Sequence, residues 1–158
     1  MAVEIPERVK RLAQQLFPDL EEGVSLEYTS DLDFNYNCLS WALGCNDRLF
    51  ANYRGAFWKW PDIPDDTADG WAQLCEIHGF KRTTNAEFVV GYEKIAIFED
   101  SEGSLHAARN DKTGIWKSKL GDWGPDIDHR GLEALEPAYG KVVIVLEKHR
   151  PDWETHET

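Results

Sequence analysis

Four segments in the second half of the chain have the composition of β-strands, and this pattern constrains the fold more than any other feature. They are Tyr92 to Phe98, Ser104 to Arg109, Ile115 to Lys119 and Lys141 to Glu147. Turn residues at 100–103 and 110–114 separate the first three segments, which is typical of hairpins. We therefore expect a mostly antiparallel sheet of about four to five strands.

Helical patterns come before most of these strands. The segment Pro6 to Phe17 predicts a first helix, because its apolar residues recur at helical spacing. The apolar stripe of this helix consists of Val9, Leu12, Ala13 and Leu16. Asn35 to Gly44 predicts a short helix with an asparagine cap and a terminal glycine, which are common at helix starts and ends.

Two further helices complete the prediction. One covers about Thr67 to His78, with Trp71, Leu74 and Cys75 facing the core and Gly79 at its end. The other is short, from about Gly131 to Leu135. Helices gathered before an antiparallel sheet are typical of an α+β layer fold. We expect one domain over residues 1–158, helical to about residue 80, sheet-forming over about 90–148, and frayed in a polar tail at 149–158.

The charge of the chain argues against polyanionic partners. The chain has 29 acidic and 17 basic residues, which gives a formal charge of −12 over 158 residues. Such a field repels phosphate backbones and anionic lipid surfaces. We expect neither nucleic acid nor a membrane as a partner.

The cysteines and the N-terminal segment indicate a reducing compartment. Cys38, Cys45 and Cys75 are too few, and odd in number, for a disulfide framework. The first 17 residues lack the pattern of a secretory signal. We expect a cytoplasmic protein, unless a specialised system exports it without a classical signal.

Cys38 and His106 are the candidate catalytic pair. Cys38 falls in the first turn of its predicted helix, where unpaired amides and the helix dipole lower the pKa of a thiol. His106 falls on a predicted strand, and an imidazole within hydrogen-bond reach would activate the thiol and later protonate the leaving group.

A third residue would orient the imidazole, and two candidates remain open. A hairpin folded symmetrically around 110–114 pairs Arg109 with Ile115 and His106 with Ser118, on one face of the sheet. Asp126, in the following loop, is a stronger hydrogen-bond acceptor. His129, close to Asp126, fits a helix start better than a second acid–base pair.

The segment Tyr36-Asn37-Cys38-Leu39-Ser40-Trp41 resembles the cysteine motif of papain-like hydrolases of the NlpC/P60 and CHAP type. The order of cysteine helix, histidine strand and orienting strand also agrees. The resemblance implies a papain-like core in which the helix of Cys38 packs on the sheet. It further implies hydrolysis of an amide bond by a peptidase, amidase or deamidase, without a cofactor. The third residue in that group is usually His, Asn, Asp or Glu, whereas Ser118 stands at that position here.

Further blocks resemble a group of uncharacterised bacterial proteins. These blocks are NCxxWA at Asn37, HAAR at His106, WxSKLG at Trp116 and DIxH at Asp126. The likeness runs from about Tyr36 to Arg150 and names no reaction. A cell-wall peptide, or a peptide or glutamine side chain of another protein as for a toxin or effector, would be the substrate.

Several residues are candidates for binding the substrate. They are Asn37, Trp41, Trp58, Trp60 and Arg109. Asn37 also fits a helix cap, and its side chain and the amide of Cys38 are candidate oxyanion donors. Trp58 and Trp60 suit either a cleft or a loop anchor, and Arg109 suits an anionic group.

Two alternative functions stay open. A non-catalytic module on the same scaffold would use the tryptophan loop and acidic surface to hold a protein partner or inhibitor. A zinc site would use Cys75 and His78 together with Cys38 and Cys45, but structural zinc sites usually show paired short spacings, so we expect no metal and a structural role for Cys45 and Cys75.

Overall fold

The structure, a computed structural model, describes residues 5–29, 67–119, 126–129 and 131–154. The elements, in chain order, are α1 (Glu7–Leu16), β1 (Leu26–Tyr28), α2 (Ala68–Ile77), β2 (Lys81–Thr83), β3 (Tyr92–Glu99), β4 (Leu105–Asn110), β5 (Trp116–Lys119), β6 (Asp126–His129), a 3₁₀ turn (Glu133–Leu135), α3 (Glu136–Tyr139), β7 (Lys141–His149) and α4 (Pro151–Glu154). The predicted helix around Cys38 and the tryptophan loop lie outside the described residues.

The described strands form one sheet in the order β1-β6-β5-β4-β3-β7-β2, with every neighbouring pair antiparallel. The α+β class and the antiparallel sheet are confirmed, but the expected four to five strands are too few, since the described residues form seven. The three additional strands, β1, β2 and β6, have only three or four residues each. Segments this short show too little alternation to be recognised locally.

Alternate residues of β3 and β4 bury two faces of the sheet. On the first face, which we call the α2 face, Ile95, Ile97 and Ala107 pack with Trp71, Leu74, Cys75, Phe80 and Leu146. On the opposite face, which we call the α1 face, Ala96, Phe98, Ala108 and Ile127 pack with Ala13, Phe17, Leu20, Leu26 and Leu135. Two-sided burial explains why the centre of β3, Ile95 to Phe98, is continuously apolar.

Helix α1 covers part of the α1 face. Val9 and Ala13 are buried as predicted, but Leu12 is 41% exposed, so the predicted stripe is too wide. Phe17, directly after the helix, is fully buried and supplies the apolar area instead. Burying a side chain of this size contributes roughly 1.5–3 kcal/mol.

Helix α2 confirms its prediction closely. The Thr67 hydroxyl caps it by accepting a hydrogen bond from the Gly70 amide at 3.1 Å. Trp71, Leu74 and Cys75 are all buried on the α2 face. The helix therefore ends where the sequence indicated, just before Gly79, which has a positive φ of 96°.

The C-terminal segment differs from the prediction in two ways. Strand β7 extends to His149, and Arg150 follows with its Nε 2.8 Å from the buried Glu93 carboxylate. The described part of the predicted tail thus contains the end of β7 and the short helix α4, and the ion pair joins it to β3. The short helix predicted at 131–135 is displaced to the 3₁₀ turn Glu133–Leu135 and α3, and Pro137 lies in the first turn of α3.

Candidate functional site

The structure describes part of the predicted site. His106, Ser118 and Arg109 lie in the described strands, and Asp126 is described through its backbone. Five predicted residues lie outside the described part of the chain: Asn37, Cys38, Trp41, Trp58 and Trp60. Of the predicted catalytic pair, the described residues therefore include His106 but not Cys38.

The β4–β5 hairpin has a different register from the predicted one. Asn110 pairs with Trp116, and Ala108 pairs with Ser118. The cause is Asp111, whose Oδ1 accepts hydrogen bonds from the amides of Thr113 at 2.8 Å and Ile115 at 3.1 Å. Because this side chain closes a loop over 111–115, the pairing is shifted by two residues relative to the symmetric hairpin expected from the sequence.

A shift of two residues keeps every side chain on its predicted face, since strand side chains alternate with a period of two. His106 and Ser118 are therefore diagonal neighbours on the α1 face, and not directly opposite. The small Ala108 side chain opposite Ser118 leaves room for the imidazole to reach across. The His106 Nε2 lies 3.1 Å from the Ser118 Oγ, which is hydrogen-bond distance.

Asp126 occupies a different place in the register. Asp126 is the first residue of β6, and its backbone pairs with Lys119, whereas the next residue, Ile127, pairs with Ser118. Of the two candidates for orienting the imidazole, Ser118 is the one that the described structure brings to His106.

His129 extends this contact in a way that the sequence did not indicate. Its Nε2 lies 2.8 Å from the Ser118 Oγ, and its Nδ1 lies 2.8 Å from the carbonyl oxygen of Gly131. A carbonyl oxygen can only accept, so Nδ1 of His129 carries the hydrogen. We call the chain His106, Ser118, His129 and Gly131 carbonyl the imidazole relay.

The sequence does not indicate the relay, because the pattern of the β6 residues favours the turn before a helix. The segment Asp126-Ile127-Asp128-His129 is a strand in the structure, which corrects that interpretation. Two aspartates disfavour a strand prediction, and the partners of β6 are β1 and β5, the first about a hundred residues away. The alternation that puts Ile127 and His129 on one face is the only local signal.

Aromatic rings hold the imidazole of His106 in place. The Tyr139 ring stacks on it with centroids 3.8 Å apart and an interplanar angle of 4°. Phe98 packs against it at a centroid distance of 5.6 Å. His106 is 1% exposed, Ser118 fully buried and His129 2% exposed, so bulk water does not compete for the relay.

Burial keeps both imidazoles neutral at pH 7. It lowers the pKa of His106 well below the ordinary 6.5, and the neighbouring His129 lowers it further. Burial likewise lowers the pKa of His129 to about 4, partly offset by the Gly131 carbonyl and Asp128. Neutral rings have one protonated nitrogen each, which gives every hydrogen bond of the relay a direction.

A cleft of about 380 Å³ opens beside the far end of the relay. Strands β1, β5 and β6 and the turns next to them form its walls. Its lining includes Ser25, Glu27, Trp116, Asp128, His129 and Gly131. His129 therefore separates Ser118 from a cleft and not from close-packed core.

The structure separates Arg109 from His106. Arg109 pairs with Ile95 and Lys117. It lies three residues from His106 on β4, and an odd spacing on a strand puts it on the opposite face, the α2 face. Arg109 therefore does not share the face of His106, and its contact with an anionic substrate group stays a prediction.

Cys75 lies in the core of the α2 face, which confirms its predicted structural role. It is fully buried, and burial raises the pKa of its thiol to about 12. In the described ranges no three His, Cys, Asp or Glu side chains converge in a way that could hold a metal ion. Cys38 and Cys45, the other predicted zinc ligands, lie outside those ranges.

None of the helices in the described ranges has the length and apolar character that crossing a bilayer requires. No curated protein and no solved structure matches the chain. Residues 27–147 match the model of a protein family described as a domain of unknown function, DUF7689. This match covers β1 through most of β7 and more than half of the chain, and the chain therefore belongs to the DUF7689 family.

Proposed function

We propose that this protein is a papain-like thiol hydrolase that cleaves an amide bond, with Cys38 as the nucleophile and His106 as its base and then its acid. The observation that carries the proposal is the hydrogen bond between His106 Nε2 and Ser118 Oγ. It engages one nitrogen of the ring and leaves Nδ1 as the nitrogen that can meet a thiol. A ring held by an orienting partner at one nitrogen and a nucleophile at the other is the geometry of thiol hydrolases.

The chemistry follows from a neutral His106. Nδ1 takes the proton of the Cys38 thiol as sulfur attacks the carbonyl carbon of the substrate. The C–N bond then breaks, the leaving amine takes the proton from His106, and a thioester remains. Water attacks the thioester with His106 again as base, which releases the acid and restores the thiol. These steps need no cofactor.

The aromatic enclosure supports the same role. Tyr139 and Phe98 fix the plane of the imidazole, and a fixed base contributes to catalysis because no rotational freedom is lost when the substrate arrives. Such enclosure, in a largely dry site, also strengthens the attraction between thiolate and imidazolium once the proton has moved.

A second candidate is the non-catalytic binding module. The observation that favours it is the burial of His106, whose 1% exposure is typical of a packed core residue. In that case the relay would only satisfy buried polar groups, and Cys38 would be an ordinary thiol.

The experiment is alkylation of each cysteine as a function of pH, followed by peptide mass spectrometry. Under the hydrolase proposal Cys38 is alkylated at pH 7 faster than a free thiol with a pKa of about 8.5, because neutral His106 takes its proton as the sulfur attacks, and His106→Gln removes this excess rate. Cys75 is an internal control, because burial raises its pKa to about 12. A Cys38 that reacts no faster than a free thiol in the wild type would reject the hydrolase and favour the binding module.

A complementary titration uses the histidine. If Cys38 lies next to His106, deprotonation of its thiol in the basic range should shift the His106 NMR signals, and this second transition should vanish in Cys38→Ser. Folding of each variant is checked by far-UV circular dichroism. An unchanged His106 titration would show that the two groups do not interact.

A further inference from the structure

Serine is an ambiguous partner for a catalytic histidine. Its hydroxyl both donates and accepts, and it rotates freely. If Ser118 donated to Nε2 of His106, that imidazole would carry its own hydrogen on Nδ1 and could not take a proton from a thiol there. The direction of the hydroxyl therefore decides whether His106 can act as a base.

His129 fixes that direction. Its Nδ1 donates to the Gly131 carbonyl at 2.8 Å, so its Nε2 has a lone pair and lies 2.8 Å from the Ser118 Oγ. The single hydroxyl hydrogen must point to this lone pair. Ser118 is then left to accept, and Nε2 of His106 must donate to it across 3.1 Å.

We propose that His129 is a positioning residue, which turns Ser118 into an acceptor and thereby sets the tautomer of His106 with an unprotonated Nδ1. The catalytic meaning of this role rests on the function proposed above, whereas the tautomer itself does not. The inference also explains how serine fills a position that a stronger acceptor holds in the papain-like hydrolases: the imidazole of His129 orients the hydroxyl.

Two substitutions of His129 separate positioning from packing. His129→Gln places an amide oxygen near the position of Nε2 and can still accept from Ser118. His129→Phe keeps an aromatic ring of similar size without an acceptor, and the adjoining cleft gives it room. Only the phenylalanine variant frees the Ser118 hydroxyl to donate to His106.

The measurement is the tautomer of each imidazole, read from long-range ¹H–¹⁵N NMR spectra at pH 7.5. In the wild type we expect hydrogen on Nε2 of His106 and on Nδ1 of His129. His129→Gln should keep the His106 tautomer, and His129→Phe and Ser118→Ala should shift it towards a mixture. Alkylation of Cys38 at pH 7 should fall about tenfold in His129→Phe, because His106 with hydrogen on Nδ1 cannot act as a base, and stay within about twofold of wild type in His129→Gln.

The outcomes distinguish the two proposals. An unchanged His106 tautomer in both His129→Phe and Ser118→Ala would overturn the positioning role. A tautomer that changes as expected, together with a Cys38 that reacts no faster than a free thiol, would reject the hydrolase and retain the positioning role. If His129→Phe fails to fold, the wild-type spectrum and Ser118→Ala decide, since hydrogen on Nδ1 of His106 in the wild type contradicts the proposal directly.

Discussion

Tyr139 lies parallel to the imidazole of His106, with an interplanar angle of 4° and 3.8 Å between ring centroids. Tyr139 is the last residue of α3 and also packs on Phe17, at a centroid distance of 5.5 Å. The ring thus links α1 to the relay. The orientation of the candidate base therefore depends on where α3 ends.

Replacing Tyr139 by leucine should loosen the imidazole, whereas Tyr139→Phe should retain it. Aromatic pairs contribute about 0.5–1.5 kcal/mol beyond the area that they bury. We expect leucine to lower the free energy of unfolding by about 1 kcal/mol more than phenylalanine, as measured in urea. The ring-current shifts of the His106 protons should disappear in the leucine variant alone. Equal spectra for the two variants would mean that the stack does not position His106.

Gly140 should tolerate no side chain. It has φ 83° and ψ −161°, a conformation that is essentially restricted to glycine. A Cβ atom there would overlap the backbone of Glu99 and Asp100, and this backbone cannot move without disturbing β3. We expect Gly140→Ala to destabilise the protein by at least about 3 kcal/mol and to broaden the His106 signals, because Gly140 ends α3 directly after Tyr139.

Gly23 provides a matched control for this substitution. Its φ is 86°, close to that of Gly140, but among the described residues no atom beyond its chain neighbours lies within 4 Å of the position that a Cβ would take. Gly23→Ala should therefore cost only about 1 kcal/mol, the penalty of the left-handed conformation itself. Similar losses in thermal or urea denaturation for the two variants would disprove the steric explanation.

The sequence predicted the face of the sheet that carries the site but not its register. Alternation alone puts His106 and Ser118 on one side, and any register shift by two residues preserves that result. The actual pairing depends on the Asp111 side chain, which closes the loop through three hydrogen bonds to Thr113 and Ile115. A symmetric hairpin rule cannot include such a side-chain contact.

His129 shows a different limit of sequence reasoning. Its role depends on β6, a four-residue strand whose pairing with β1 joins parts of the chain far apart in sequence. Local propensity favours a turn there because of the two aspartates. Helix α2 and strand β3, in contrast, were predictable, since these elements extend over ten and eight residues.

The buried histidines should make stability fall in mild acid. The pKa of His129 is about 4 in the folded protein, against an ordinary 6.5, and burial lowers the pKa of His106 as well. The unfolded chain thus binds protons first, so stability is complete above about pH 6.5 and is lost as the pH falls towards 4. Each group contributes a slope of about 1.4 kcal/mol per pH unit in its window, measurable by urea unfolding from pH 7.5 to 4.5.

His129→Gln isolates one of these contributions. Glutamine does not titrate, so the slope below pH 6.5 should be smaller by up to about 1.4 kcal/mol per pH unit, whatever the variant loses at pH 7.5. Carboxylates that titrate in the same range are common to both proteins and cancel in the comparison. Parallel pH profiles would contradict the lowered pKa of His129.

The Lys94–Glu147 ion pair, between β3 and β7, should respond unequally to loss of its two charges. Lys94 is fully buried, and its Nζ donates to Glu147 Oε1 at 2.9 Å and to the Asn85 carbonyl at 2.7 Å, whereas the Glu147 side chain is 30% exposed. Glu147→Gln leaves a buried ammonium without a counter-charge and should cost about 2 kcal/mol, less than the 3–5 kcal/mol of a fully buried pair. Lys94→Met leaves a carboxylate that water can reach and should cost less. The double variant removes both charges and should therefore be more stable than Glu147→Gln alone in urea denaturation. If the double variant is less stable than Glu147→Gln, the unpaired Lys94 ammonium is not the cause of the destabilisation.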